Sequence, residues 1–228
     1  MPPLVTIVTP VLADAEAAAA LLAQLPVSPE VEIAVVDGGH DLSLDRLVQA
    51  HPGARLYRTT SGRGHQMNAG AAGAAGEWLL FLHADSRLPS GWLEAFQRLG
   101  SGVVGGWFEF ALDDAAWQAR IIERFVNWRV RRLRLPYGDQ GLFVRRRVFE
   151  TMGGFRELPL LEDVEFVRRL VRTGTVLQLP LRLRTSPRQW KRDGWIRRSV
   201  RNVVIVTLYF AGVSPAWLAR RYHGGERG

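Results

Sequence analysis

Three acidic positions carry most of the chemistry this sequence can offer. His83-Ala84-Asp85 follows the apolar run Trp78 to Leu82, so Asp85 stands at the mouth of a buried strand. A carboxylate there can hold magnesium or manganese against a diphosphate, because hard cations take oxygen ligands and fill their remaining positions with water and phosphate. Asp37 ends a second run, Val31 to Val36, and Glu162-Asp163 opens an amphipathic segment that reads as a helix. If these sites converge, they suit the handling of a nucleotide-activated donor.

Each position also has a plainer reading. Asp37, followed by Gly38-Gly39, can accept the imide hydrogen of a uracil ring, or simply close an Asx-turn. Asp163 can serve as a general base if its surroundings raise its affinity for protons, or it can stabilise a helix dipole. Glu162 is adjacent on the helix and so faces another way, which gives it a different task. His83 reads as a strand-end histidine rather than a ligand. The loop Ser61 to Gly70 runs into a small-residue helix and offers Arg63 to a base carbonyl or phosphate, beside the free N–H groups of a helix start. It is neither a Walker loop nor a dinucleotide fingerprint.

The elements that must position these groups alternate through the first half. Strands are expected at Leu4 to Thr9, Val31 to Val36, Ala54 to Tyr57 and Trp78 to Leu82. Helices are expected at Asp14 to Leu25, Leu42 to His51, Gly64 to Ala75 and Gly91 to Leu99. Unbroken apolar strands separated by helices predict a mostly parallel α/β sheet covered on both faces, with ligands beyond the carboxyl ends of its strands. Thr9-Pro10, Asp37 and Asp85 all fall there. The second half predicts a strand at Val103 to Phe110, a basic amphipathic helix at Ala116 to Arg134, a loop at Leu135 to Gly141 leading into Leu142 to Val144, and a helix at Glu162 to Arg172.

The 228 residues, 47% hydrophobic and 23% charged, predict one globular domain without a disordered arm. Zero cysteines exclude disulfides, thiol catalysis and Cys-ligated zinc. The net charge of +8, nearly all arginine, favours anionic partners. The N-terminal residues read as a first strand rather than a signal peptide, and cytoplasm is the default compartment.

In order along the chain, Ile7-Val8-Thr9-Pro10-Val11-Leu12, Val35-Val36-Asp37-Gly38-Gly39, Arg63 to Gly70, Leu80 to Asp85, Leu135 to Gly141 and Leu161-Glu162-Asp163-Val164-Glu165 form a set. That set resembles the family 2 glycosyltransferases, in particular a bacterial subgroup described as transferase-2, radical-SAM/selenodomain-associated. The resemblance implies a single GT-A domain, Rossmann-like, with a nucleotide-binding half at 1–100 and an acceptor-binding half with C-terminal helices at 101–228. It implies a nucleotide pocket of Pro10, Asp37, Arg63, Asn68 and Ala84, and Asp85 as the metal-binding acid of an Asp-x-Asp motif, with Mn2+ or Mg2+. Asp163 would be the base of an inverting transfer. Gly138, Asp139, Gln140 and Glu162 would meet the donor sugar or acceptor, and Trp190 and Arg192 would close over the diphosphate.

Two departures from the family pattern are His83, in place of the first acid of Asp-x-Asp, and Ala13-Asp14, where Asn-Glu is usual. Asp14 then stands as a shorter substitute at the nucleotide rim. Uridine diphosphate sugars are the expected donors, with guanosine diphosphate sugars next, and the acceptor is open.

The segment Trp117 to Arg134 suits an anionic bilayer surface as well as it suits the sheet. A peripheral enzyme at the inner membrane face would fit a lipid-linked acceptor. Val203 to Ala219 falls short of the roughly 18 residues of a spanning helix and reads as one core or interfacial helix. Two other classes fit parts of the sequence. A basic nucleic-acid-binding module draws on tryptophans interleaved with arginines, but it lacks a recognised motif, and strand-end acids oppose a phosphate backbone. A nucleotidyltransferase lacks the Gly-rich basic loop expected after the first strand.

Overall fold

Alternation along a strand sends Ile33 and Val35 to one face and Ala34 and Val36 to the other, and all four are buried. A strand apolar on both faces belongs inside a covered sheet. The structure, a computed structural model describing residues 2–224, has that arrangement. Its strands are β1 (Val5–Val11), β2 (Val31–Asp37), β3 (Ala54–Arg58), β4 (Trp78–Phe81), β5 (Ser86–Arg87), β6 (Val103–Leu112), β7 (Leu142–Arg145) and β8 (Thr175–Thr185). They lie in the order β3-β2-β1-β4-β7-β6-β8-β5. The block β3-β2-β1-β4 is parallel, β6 and β8 are parallel to each other, and β7 and β5 run antiparallel to their neighbours.

Helices cover both faces. On one side α1 (Ala15–Leu22), α2 (Ser43–Gln49) and α4 (Trp92–Gln97) pack Leu21, Leu44 and Phe96 with Ile7, Ile33 and Leu80. On the other, α3 (Arg63–Ala72), α5 (Trp117–Leu133), α6 (Arg146–Thr151) and α7 (Glu162–Leu170) pack Met67, Val130, Phe149 and Phe166 with Val8, Val36 and Phe81. The small residues of α3 permit close approach. A Cβ on Gly70 would lie 2.5 Å from Val8 Cγ1 and 2.8 Å from Val36 Cγ2.

Three features depart from expectation. The segment Val203 to Ala219 is not one helix: α9 (Trp195–Phe210) and α10 (Pro215–Gly224) meet at a bend. Gly212 takes a φ of +93° there, and Pro215 starts the new helix, where its missing N–H costs nothing. The strand β8 had no counterpart in the sequence reading, nor did the short helix α8 (Arg188–Asp193). Within β8, Phe108 faces Leu179 but Glu109 faces Arg182, so Pro180 and Leu181 form a bulge, a place that tolerates proline. Beyond it, β8 pairs with β5, Thr185 opposite Ser86.

The helix α5 is amphipathic as expected, but its polar side faces the sheet. Glu123 and Asn127 are buried; Glu123 Oε1 accepts the Leu112 N–H at 2.7 Å, and Asn127 bonds both the N–H and C=O of Phe110 at 2.9 Å.

Candidate functional site

A cleft of about 700 Å³ opens beyond the carboxyl ends of β1 and β4. Pro10, Val11 and Leu12 form one wall, and Arg63 and Gln66 from the start of α3 border it. Gln66 is buried, and its Nε2 donates to Val11 O and Val36 O, both at 2.8 Å, so it ties the ends of β1 and β2 together.

His83, Ala84 and Asp85 line the middle of the cleft. Burial raises the Asp85 carboxyl above the ordinary value, against the pull of Arg188 and Arg63. Burial, aided by the Arg63 charge, lowers His83 to about 3, so its imidazole is neutral. Opposite stand Glu162 and Asp163, at the start of α7. Leu161, just before them, adopts a φ of +67°, a conformation costly for a non-glycine residue that turns the chain into the helix. Asp163 Oδ2 accepts the Gly138 N–H at 2.6 Å, and Oδ1 accepts the Val164 N–H at 2.7 Å.

Gly138 joins the two sides. A Cβ at this position would lie 3.1 Å from His83 Nε2 and 3.3 Å from Asp163 Oδ2, tight enough that a larger residue would push these side chains apart by a few tenths of an ångström. Next to it, Asp139 is raised to about 6, first by burial and then by the charges of Asp163 and Asp85, with Arg129 opposing. Its Oδ1 is buried without a hydrogen-bond partner. Glu162 is pushed up to about 7 by burial and by Asp163, with Arg63 pulling the other way. Burial and mutual repulsion thus shift Asp139 and Glu162 toward their protonated forms.

The far wall comes from the chain after β8. Ser186 N–H donates to Asp85 O at 3.1 Å, which brings α8 over the cleft. Arg188 Nη2 lies 2.6 Å from Asp14 Oδ2 and 4.0 Å from Asp85 Oδ2. Trp190 is buried against Phe110 and lines the cleft with Arg198, Asn202 and Tyr222 of α9 and α10.

The sequence profile of the family described as Glycosyl transferase family 2 matches residues 10–153. The chain belongs to glycosyl transferase family 2. No curated protein matches it. Among solved structures, the mannosyltransferase PcManGT from Pyrobaculum calidifontis, in complex with GDP-Man and Mn2+, is similar with a TM-score of 0.67 and 18% identity, over 95% of this chain and 67% of that one. S. aureus TarS 1-349, in complex with UDP-GlcNAc, is similar with a TM-score of 0.60 and 16% identity, over 80% of this chain. The chain spans only 58% of that TarS structure. At such identities the likeness speaks to the fold, which is the GT-A architecture.

Within this family 2 chain, eleven of the residues singled out from sequence line the cleft: Pro10, Asp14, Arg63, His83, Ala84, Asp85, Gly138, Asp139, Glu162, Asp163 and Trp190. Four do not. Asp37 is wholly buried, and its oxygens accept the N–H groups of Gly39 at 2.8 Å and Asp41 at 2.7 Å, the work of a turn residue. Asn68 clamps the backbone of Phe155, donating at 2.8 Å and accepting at 2.9 Å, and so steadies the loop before α7. Gln140 is buried, with Phe108 O at 3.3 Å, and shapes the turn that presents Gly138. Arg192 pairs with Asp193 at 2.8 Å and is not among the residues lining the cleft, where Arg188 stands instead.

The residues missed were Gln66, Tyr137, Arg188, Arg198 and Asn202. Gln66 and Tyr137 lie inside the strings Arg63 to Gly70 and Leu135 to Gly141 that carry the family resemblance. The other three depend on how the chain returns after β8.

For a divalent cation, no three acidic or imidazole side chains form a complete cage among the described residues. Asp85, with the unpartnered oxygen of Asp139 nearby and a neutral imidazole at His83, fits a hard ion that draws the rest of its shell from phosphate and water.

Proposed function

We propose that this protein is an inverting glycosyltransferase that moves a sugar from a nucleoside diphosphate donor to an acceptor hydroxyl. The observation that carries this reading is the convergence of Asp85 and Asp163 on one cleft, with Gly138 between their two walls, in a family 2 chain. Asp163 takes the proton from the acceptor hydroxyl as its oxygen attacks the anomeric carbon. Arg63 and Arg188 hold the diphosphate and offset the negative charge that builds on it as the bond to the sugar breaks. Asp85 would hold magnesium or manganese, which when bound neutralises the same diphosphate charge. Glu162, whose raised carboxyl keeps its proton up to about pH 7, orients a sugar or acceptor hydroxyl by hydrogen bonding. The neighbours' GDP-Man and UDP-GlcNAc complexes support a nucleotide-sugar donor, with uridine diphosphate sugars placed first and guanosine diphosphate sugars next.

The test is a melting screen of nucleoside diphosphates and their sugars, with and without manganese, followed by Asp163→Asn. The variant should keep the donor-induced rise in melting temperature and lose about 10²- to 10⁴-fold in turnover, read as nucleoside diphosphate release. Full turnover in the variant removes Asp163 as the base. Absence of stabilisation by every nucleotide sugar removes the donor reading.

A further inference from the structure

Two neighbouring helices of this protein turn their apolar sides outward. Along α5, Trp117, Ile121, Phe125 and Trp128 recur on one face at helical spacing and are exposed, Trp117 at 68% and Trp128 at 56%. Phe125 and Trp128 stack on each other there, with centroids 6.2 Å apart. The opposite face is the polar one, fixed to β6 through Glu123 and Asn127. On α9, Ile196, Val200, Val203, Val204 and Phe210 are likewise exposed on one face, Ile196 at 79%. The other face carries Arg198, Asn202 and Ile205 into the cleft. The two helices touch, Ile122 and Val126 of α5 sharing one apolar cluster with Trp195.

The charges on these outward faces have a single sign. Arg124, Arg131 and Arg132 of α5 and Arg197 of α9 are exposed beside the apolar side chains, and the only acid in either helix, Glu123, is buried. Residues 194–224 contain no acid at all. A second copy of this chain would set arginine against arginine. Lipid headgroups of opposite charge would not, and exposed tryptophans suit the boundary between headgroups and acyl chains. No helix among the described residues is long and apolar enough to cross a membrane, so contact would be along the surface.

We infer that the outward faces of α5 and α9 seat this protein on an anionic bilayer surface. The cleft then lies one helix away from the lipid, since α9 borders both, about 10 Å by the width of a helix. An acceptor carried by the membrane could reach it. Docking rests on the surface alone and does not depend on the sugar-transfer reading.

Co-sedimentation with vesicles of phosphatidylcholine, with and without phosphatidylglycerol, tests it by binding rather than turnover. The full chain should pellet with the anionic vesicles at low salt and be largely released at high salt. Phe125→Ser/Trp128→Ser should lower partitioning at least about tenfold with no loss of melting temperature, since both side chains are exposed. If that pair unfolds the protein, Ile196→Ser/Val200→Ser on α9 takes its place, with the same expected loss. Chain left in the supernatant with anionic vesicles, or variants that partition like the wild type, overturns the proposal. So does a lipid-free dimer, seen by sedimentation velocity, that the same substitutions dissociate.

Discussion

The guanidinium of Arg188 lies 4.0 Å from the Asp85 carboxylate, close enough to hold that acid's charge in check while Asp14 holds the arginine at 2.6 Å. A cation beside the proposed metal-binding acid is well placed to receive the donor's diphosphate. Replacing Arg188 with methionine should raise the dissociation constant for the nucleoside diphosphate by about tenfold, the range of one charged hydrogen bond. The free protein should melt almost unchanged, because the Arg188 side chain is 55% exposed and exposed pairs contribute little. Titration calorimetry reads the affinity and scanning calorimetry the melting temperature, and unchanged affinity would remove Arg188 from diphosphate binding.

Glu162 makes stability depend on pH. Its carboxyl rises from 4.5 to about 7 in the folded protein, through burial first and Asp163 second. A raised acid favours the folded state fully below its ordinary value, and that contribution is lost as pH climbs through about 7. Glu162→Gln lacks the titration. Its stability relative to the wild type should therefore grow between pH 4.5 and 8, by roughly 1–3 kcal/mol. Urea unfolding at several pH values measures it, and a difference that stays flat across this range would contradict the buried acid.

Asp193 works in the opposite direction. Arg192 first, then Arg198, hold its carboxyl well below the ordinary 3.8, and Arg201 also reaches it at 2.7 Å. A depressed acid stabilises the fold above its ordinary value and loses that contribution as pH falls. Asp193→Asn should cost about 1–2 kcal/mol at pH 7, a difference that shrinks as pH falls below 3.8 toward the lowered folded value. Because Asp193 ties α8 to α9, the loss should appear at this end of the cleft first, as faster amide exchange. Protection of α8 and α9 equal to the wild type would argue against the tie.

The strand-end logic located Asp85 because a buried run of apolar residues has only one place to end. It could not separate Asp85 from Asp37. Both terminate such runs, and what distinguishes them is whether the following residues turn their N–H groups back onto the carboxylate, as Gly39 and Asp41 do. Periodicity also found the two sides of α5, yet not which side meets the sheet. That depended on the N–H groups of Phe110 and Leu112, which needed acceptors. The strand β8 was hidden by Pro180 and by arginines at 182 and 184, residues that suit its exposed positions but blur the apolar pattern. Arg188 and Arg198 were hidden with it.

The two additional residues at Pro180 and Leu181 set the phase of everything that follows. Side chains alternate along a strand, so deleting one of them would swap the faces of Arg182, Leu183, Arg184 and Thr185. Leu183 would leave the interior, Thr185 would lose its place opposite Ser86, and the segment bearing Arg188 would emerge rotated away from Asp14. A small irregularity within β8 thus acts as the molecule's vernier, fixing the point at which the returning chain meets the end of β4.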